Sequence, residues 1–190
     1  MGADAGKLPA SLRAAGVEPT QITDVLISHS HPDHVGGLVD AAGALTFPNA
    51  KIRMTAAEWT YMQANPDLAA LTRTIAPRVE TFAPGAVVAP GITAVAIDGH
   101  TPGHTGYEIV SGEDRLLYIG DTMHSSVISV QRPDWRIAFD SDAATAQASR
   151  KALLQRAADG DLRLYAVHFP YPGLGRVQRK DEGFVWVPES

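Results

Sequence analysis

The chain has 190 residues, a net charge of −5, 45% apolar residues and no cysteine. A single domain of that length can bury a substantial core, its Lys and Arg form no basic stripe of the kind a nucleic-acid partner needs, and disulfides and thiolate metal ligands are excluded. No apolar run reaches the roughly 18 residues of a membrane span and the opening MGADAGKLPASL holds no apolar signal-peptide segment, so the expected setting is cytoplasmic, with a small molecule as partner and neither membrane nor nucleic acid.

Residues 8–16 read as a short helix stopped by Gly16. Residues 24–28 (DVLIS) form a short apolar run rich in branched side chains, which predicts a buried strand. Gly36-Gly37 predicts the opening of a helix to Ala42, and residues 51–55 alternate as a strand. Thr55 is expected to cap a helix over 56–64, with Glu58 at the capping-box position, and a second helix is expected over 67–75. Residues 92–98, 106–111 and 115–120 predict strands. Residues 142–158 give the clearest helical spacing, 163–167 a further buried strand, and 173–187 a terminal hairpin. Loose alternation of strands and helices favours an α/β layered domain.

All the histidines fall in four short segments, each behind a predicted strand. DVLIS leads into His29, His31, Asp33 and His34; ITAVAID into His100 and His104; RLLYIG into Asp121 and His124; RLYAV into His168. Ligands of α/β sheets gather outside the carboxyl ends of strands, so these groups can share one cavity. Imidazole and carboxylate suit zinc, iron and manganese. On extended backbone alternate residues point the same way, which lets His29 and His31 reach one ion, while Asp33 and His34 suit a second. Crowding three histidines and a carboxylate into H-x-H-x-D-H stacks desolvation costs that a cation would offset. His100, taken alone, reads as an ordinary buried histidine.

In this order, ISHSHPDHVGG, HTPGHTG, YIGDT and VHFPYPG resemble the metallo-β-lactamase superfamily, and the likeness runs from Ile22 to Gly175. FPNAKIRMTAAEW, GDTMHSSVISVQRPDW, the 142–158 segment and HFPYPGLGRV resemble methyl parathion hydrolase and its lactonase-like relatives. The resemblance implies an αββα sandwich with two divalent ions, zinc first and manganese, iron or cobalt as alternatives. It implies His29, His31 and His104 on one ion, Asp33, His34 and His168 on the other, and Asp121 bridging both. A hydroxide shared by the ions would attack an ester, lactone or phosphotriester, with Asp33 orienting it and His124 donating to substrate or leaving group. Quorum-quenching lactonases carry a tyrosine where His124 stands, which argues against efficient acyl-homoserine lactone cleavage.

Trp59, on the resemblance, and Phe169 and Tyr171, which follow His168, are the expected pocket walls; Phe139 reads as ordinary core. The cysteine ligand of common β-lactamases, the basic tail of a glyoxalase and the basic exosite of a tRNA-processing relative are all missing from the sequence. A thioesterase or β-lactamase of the same superfamily, or a metal-binding scaffold without turnover, are the competing readings. The family pattern places several strands before H-x-H-x-D-H, yet only 23 residues precede DVLIS here. The expectation is therefore a fragment or shortened sandwich whose exposed strand edge pairs into a homodimer or larger even assembly.

Overall fold

The structure is a computed structural model that describes residues 6–189. It divides into two compact units, the first ending at Phe82 and the second beginning at Ala83.

In the first unit, helix α1 (Leu8–Ala14) precedes a parallel sheet of three strands in the order β1 (Asp24–Leu26), β2 (Lys51–Thr55), β3 (Val79–Phe82). Between β1 and β2 lies the single turn α2 (Pro32–Val35). Between β2 and β3 lie α3 (Ala56–Ala64) and α4 (Ala69–Ile75). β1 is shorter than DVLIS suggested and only half-buried. Of the helix expected from Gly36 to Ala42 only a 3-10 turn over Gly36–Leu38 forms. Pro32, pre-set for a first helical position, starts the turn earlier, and Val39 is already extended and bridged to Leu45. Ile27, Val35, Leu38, Ile52, Met54, Met62 and Ile75 form the core of this unit, with Trp59 packed against it.

The second unit is a sheet of seven strands in the order β10-β9-β8-β7-β6-β5-β4. The strands are β4 (Val87–Ala89), β5 (Ile92–Ala96), β6 (Thr105–Ser111), β7 (Asp114–Tyr118), β8 (Arg163–Tyr165), β9 (Leu174–Lys180) and β10 (Gly183–Pro188). Neighbours are antiparallel except β7 and β8, which are parallel. A parallel pair needs a crossover, and here it holds the short α5 (Ile128–Gln131) and the long α6 (Ala143–Asp159). α6 buries Leu153, Leu154 and Ala157 against Leu117, Ile119, Leu164 and Val177 of the sheet. β3 and β4 were not foreseen; both are short, and neither alternates cleanly between buried and exposed positions.

Among the described residues no helix is long and apolar enough to cross a membrane.

Asp142 caps α6. Its carboxylate accepts hydrogen bonds from the hydroxyl and N–H of Thr145 and from the N–H of Ala144, and these hold it below the ordinary carboxylate range, the Thr145 hydroxyl contributing most. A folded-state pKa below the unfolded one stabilises the protein above about pH 3.9, and that contribution is lost as pH falls through the lowered value. Asp142→Ala should therefore lower the melting temperature at pH 7, and the gap from the unsubstituted protein should close as the pH is taken below the carboxylate range. A gap that stays constant across that titration would assign the loss to something other than the charged cap.

Candidate metal centre

Strand register brings the second unit's functional groups together. Tyr118 of β7 is paired with Tyr165 of β8, so Asp121 and His168, each three residues further on, leave the sheet side by side. His168 Nε2 lies 3.0 Å from Asp121 Oδ2. Tyr107 of β6 faces Tyr118 in the antiparallel sense, which puts the loop before β6, with His100 and His104, at the same end. His124 Nε2 is 3.1 Å and His100 Nε2 3.5 Å from the same Oδ2. Asp121 is only 3% exposed. The rings of His124 and His168 stack at 4.9 Å and 12°.

The structure corrects the sequence reading within H-T-P-G-H. His104 Nδ1 donates to the carbonyl of Ile97 at 2.9 Å, and its Nε2 accepts the backbone N–H of Asp121 at 2.9 Å. Both nitrogens are thus committed to main chain, and His104 acts as a strut between two strand ends. His100 takes the place expected of His104: it and Asp121 belong to one group of potential metal donors, and Asp121 and His168 to another.

His100 is itself held from behind. Its Nδ1 is 3.0 Å from Asp140 Oδ1, and Asp140 Oδ2 pairs at 3.0 Å with Nη2 of Arg150. Arg150 is 1% exposed; burial pushes its pKa down, and the adjacent Asp140 pushes it back up. The loop before His100 is pressed onto α6. Gly99 has φ +120°, and a Cβ there would lie 2.2 Å from the nitrogen of Ala146, so only glycine fits.

In the first unit the run after β1 folds back on itself. The rings of His29 and His31 meet at 4.8 Å, those of His29 and His34 at 4.0 Å, and His34 Nε2 is 3.4 Å from Asp33 Oδ2. Ser28 Oγ lies 3.1 Å from His29 Nδ1, so any ligation by His29 would use Nε2. Glu58, foreseen only as a capping residue, is fully buried. Thr55 does cap α3, accepting the Glu58 N–H at 3.2 Å. The carboxylate Oε1 of Glu58, however, accepts the N–H and the hydroxyl of Ser30 at 2.7 and 2.6 Å, clamping the residue between His29 and His31. Because β1 and β2 are parallel, Ser30 and Glu58 emerge at the same sheet end.

The expected pocket walls fare differently. Phe169 is buried in the second unit's core, edge-on to Trp186 at 4.9 Å, and Trp59 packs on the first unit's core. Tyr171 is 99% exposed and walls nothing in. Phe139, expected in the core, is 68% exposed, with its ring 5.9 Å from that of His124.

The donors suit divalent ions. In a neutral ring whose Nδ1–H is given to Asp140, the lone pair of His100 Nε2 would face a carboxylate oxygen 3.5 Å away. Two acceptors repel at that separation; a cation between them converts repulsion into coordination. Bonds of about 2.0–2.2 Å at a tetrahedral angle would place two donors roughly 3.4 Å apart. His124 Nδ1 is buried with no hydrogen-bond partner among the described residues.

Imidazoles gathered on one buried carboxylate at the strand ends of a mixed α/β fold define a metal-site protein. The profile of the metallo-beta-lactamase superfamily matches residues 1–168, and the chain belongs to that superfamily and has its fold. No curated protein matches by sequence. Among solved structures it is similar to AidC, a dizinc quorum-quenching lactonase, at 35% identity and a TM-score of 0.93, covering 100% of this chain and 72% of that one. It is similar to the hydrolase AbOPH of the beta-lactamase superfamily at 28% identity and a TM-score of 0.90, again over 100% and 72%. A probable metal-dependent hydrolase from Staphylococcus aureus shares the fold at 22% identity and a TM-score of 0.80, over 96% of this chain and 68% of that one. Family and donor groups together support the use of divalent metal.

Glu58→Ala should strand the buried N–H of Ser30 and cost about 1–3 kcal/mol in denaturant unfolding, whereas Glu58→Gln, which keeps the oxygen acceptor, should cost less. Equal losses in the two variants would show that volume, not the hydrogen bonds, matters at Glu58.

Proposed function

We propose that the chain is a binuclear metal-dependent hydrolase whose substrates are lactones and related esters. Its metal donors would be His29, His31, Asp33 and His34 in the first unit and His100, Asp121 and His168 in the second. The observation that carries this reading is the approach of His100 Nε2 to within 3.5 Å of Asp121 Oδ2 while its Nδ1 faces Asp140. Zinc is the favoured metal, supported by the nitrogen and oxygen donors and by the likeness to a dizinc lactonase. Bound ions would supply a water acidic enough to ionise near neutral pH and a Lewis acid for the substrate oxygen.

The chain's own residues do the rest. The buried carboxylate of Asp121 would be a metal donor. Asp33, exposed at the start of α2, orients the attacking group, and His124 donates to the oxygen on which charge develops. The exposed ring of Phe139 beside His124 offers an apolar face to an acyl or aryl substituent. Lactones come first because 35% identity extends over the whole chain to a lactonase. Phosphotriesters are the second reading, favoured by histidine rather than tyrosine at position 124 and by the likeness to methyl parathion hydrolase.

After zinc loading, elemental analysis should find about two ions per chain. His100→Ala should lose metal and turnover. His104→Ala should keep its metal and lose stability, since it strands a carbonyl and an N–H. Full metal content in His100→Ala would sink this ligand assignment.

On a chromogenic panel, aryl lactones and p-nitrophenyl esters should be hydrolysed with higher kcat/KM than nitrocefin or thioesters. If nitrocefin ranks first, the chain is a β-lactamase, and if a thioester ranks first, a thioesterase. Full metal content with no turnover on any of them would favour the scaffold.

A further inference from the structure

The second unit buries an ion pair that the proposed hydrolysis does not use. Asp140 and Arg150 are 7% and 1% exposed. The guanidinium of Arg150 donates through Nε to the carbonyl of Thr122 at 2.8 Å, through Nη1 to the carbonyls of Pro133 and Trp135 at 3.1 and 3.0 Å, and through Nη2 to Asp140. One side chain therefore reaches the turn carrying Asp121, the loop leading to Phe139, and, through Asp140, the ring of His100.

We propose that Asp140 and Arg150 are positioning residues that set the tautomer of His100. Arg150 can only donate, so it claims one oxygen of Asp140. The other oxygen is left for His100 Nδ1–H, which keeps the Nε2 lone pair directed at Asp121. The bond from Arg150 to Thr122 fixes the Asp121 turn in the same frame. The inference rests on the reading of His100 as a metal ligand given above.

Asparagine at position 140 makes the test sharp. Its single oxygen would be claimed by Arg150, and its NH2 would face His100 Nδ1. That drives the ring proton to Nε2 and blocks the lone pair. In Asp140→Asn the zinc dissociation constant should rise ten- to a hundredfold by chelator competition. Long-range proton–nitrogen NMR at alkaline pH on the full, chelated chain should show Nδ1–H in the unsubstituted protein and Nε2–H in Asp140→Asn. The double variant Asp140→Asn, Arg150→Gln frees the amide oxygen and should recover part of the zinc affinity and the Nδ1–H signal.

An Asp140→Asn protein that is less stable but keeps Nδ1–H and the original zinc affinity would reduce the pair to a structural clamp and overturn the proposal. So would Nε2–H in the unsubstituted chain, a result that needs no variant to fold. Full metal content in His100→Ala would instead remove the ligand reading on which the proposal stands, which separates the two failures.

Discussion

Three imidazole nitrogens converge on one oxygen of the buried Asp121 carboxylate, and much of the second unit is arranged to hold them there. A carboxylate taken out of water is costly unless it is paired or coordinated. What brings the imidazoles within reach is strand register. β7 is parallel to β8 and antiparallel to β6, so residues displaced equally from a paired position arrive at one sheet end. Asp121 and His168 lie three residues beyond the paired Tyr118 and Tyr165, and His104 lies three residues before Tyr107, which faces Tyr118. The crossover from β7 to β8 holds α5 and α6, yet the pairing still returns the chain to the same sheet end.

The strand exits were legible because short apolar runs ending in histidine carry their own signal. The role of each histidine within H-T-P-G-H was not. His100 and His104 are both almost fully buried, and nothing in their spacing distinguishes a ligand from a strut. What decides is the partner of each ring: backbone groups of Ile97 and Asp121 for His104, and Asp140 for His100. Asp140 lies 40 residues further along the chain, beyond any local pattern. One clue was available, since His104 directly precedes the first residue of β6 and so sits in the sheet frame, whereas His100 follows a glycine that only a tight loop requires.

The aromatic residues failed for a related reason. Proximity to a ligand in sequence says little about which way a side chain turns. Phe169 follows His168 yet enters the core beside Leu153, Leu164 and Val177, edge-on to Trp186. Phe139 read as core by composition alone, but it ends a loop tied down by its carbonyls to Arg150, which leaves the side chain outside. Glu58 shows the same limit in the first unit. Its capping-box position accounts for its place on α3, while its burial is explained only by Ser30 across the sheet end.

Each unit therefore solves the same physical problem in the same way. In each unit a carboxylate steadies a segment that carries histidines. In the first unit a helix-borne carboxylate reaches back to the main chain between two histidines; in the second a carboxylate backed by a helix-borne guanidinium reaches the ring itself. The two supports differ in what they control. Glu58 grips the N–H and hydroxyl of Ser30 and so fixes where the turn lies. Asp140 grips a ring nitrogen and so fixes both the orientation of His100 and the position of its proton. A backbone clamp tolerates any acceptor of similar reach, whereas a clamp on a ring nitrogen tolerates only a group that accepts there and is prevented by its other neighbour from donating.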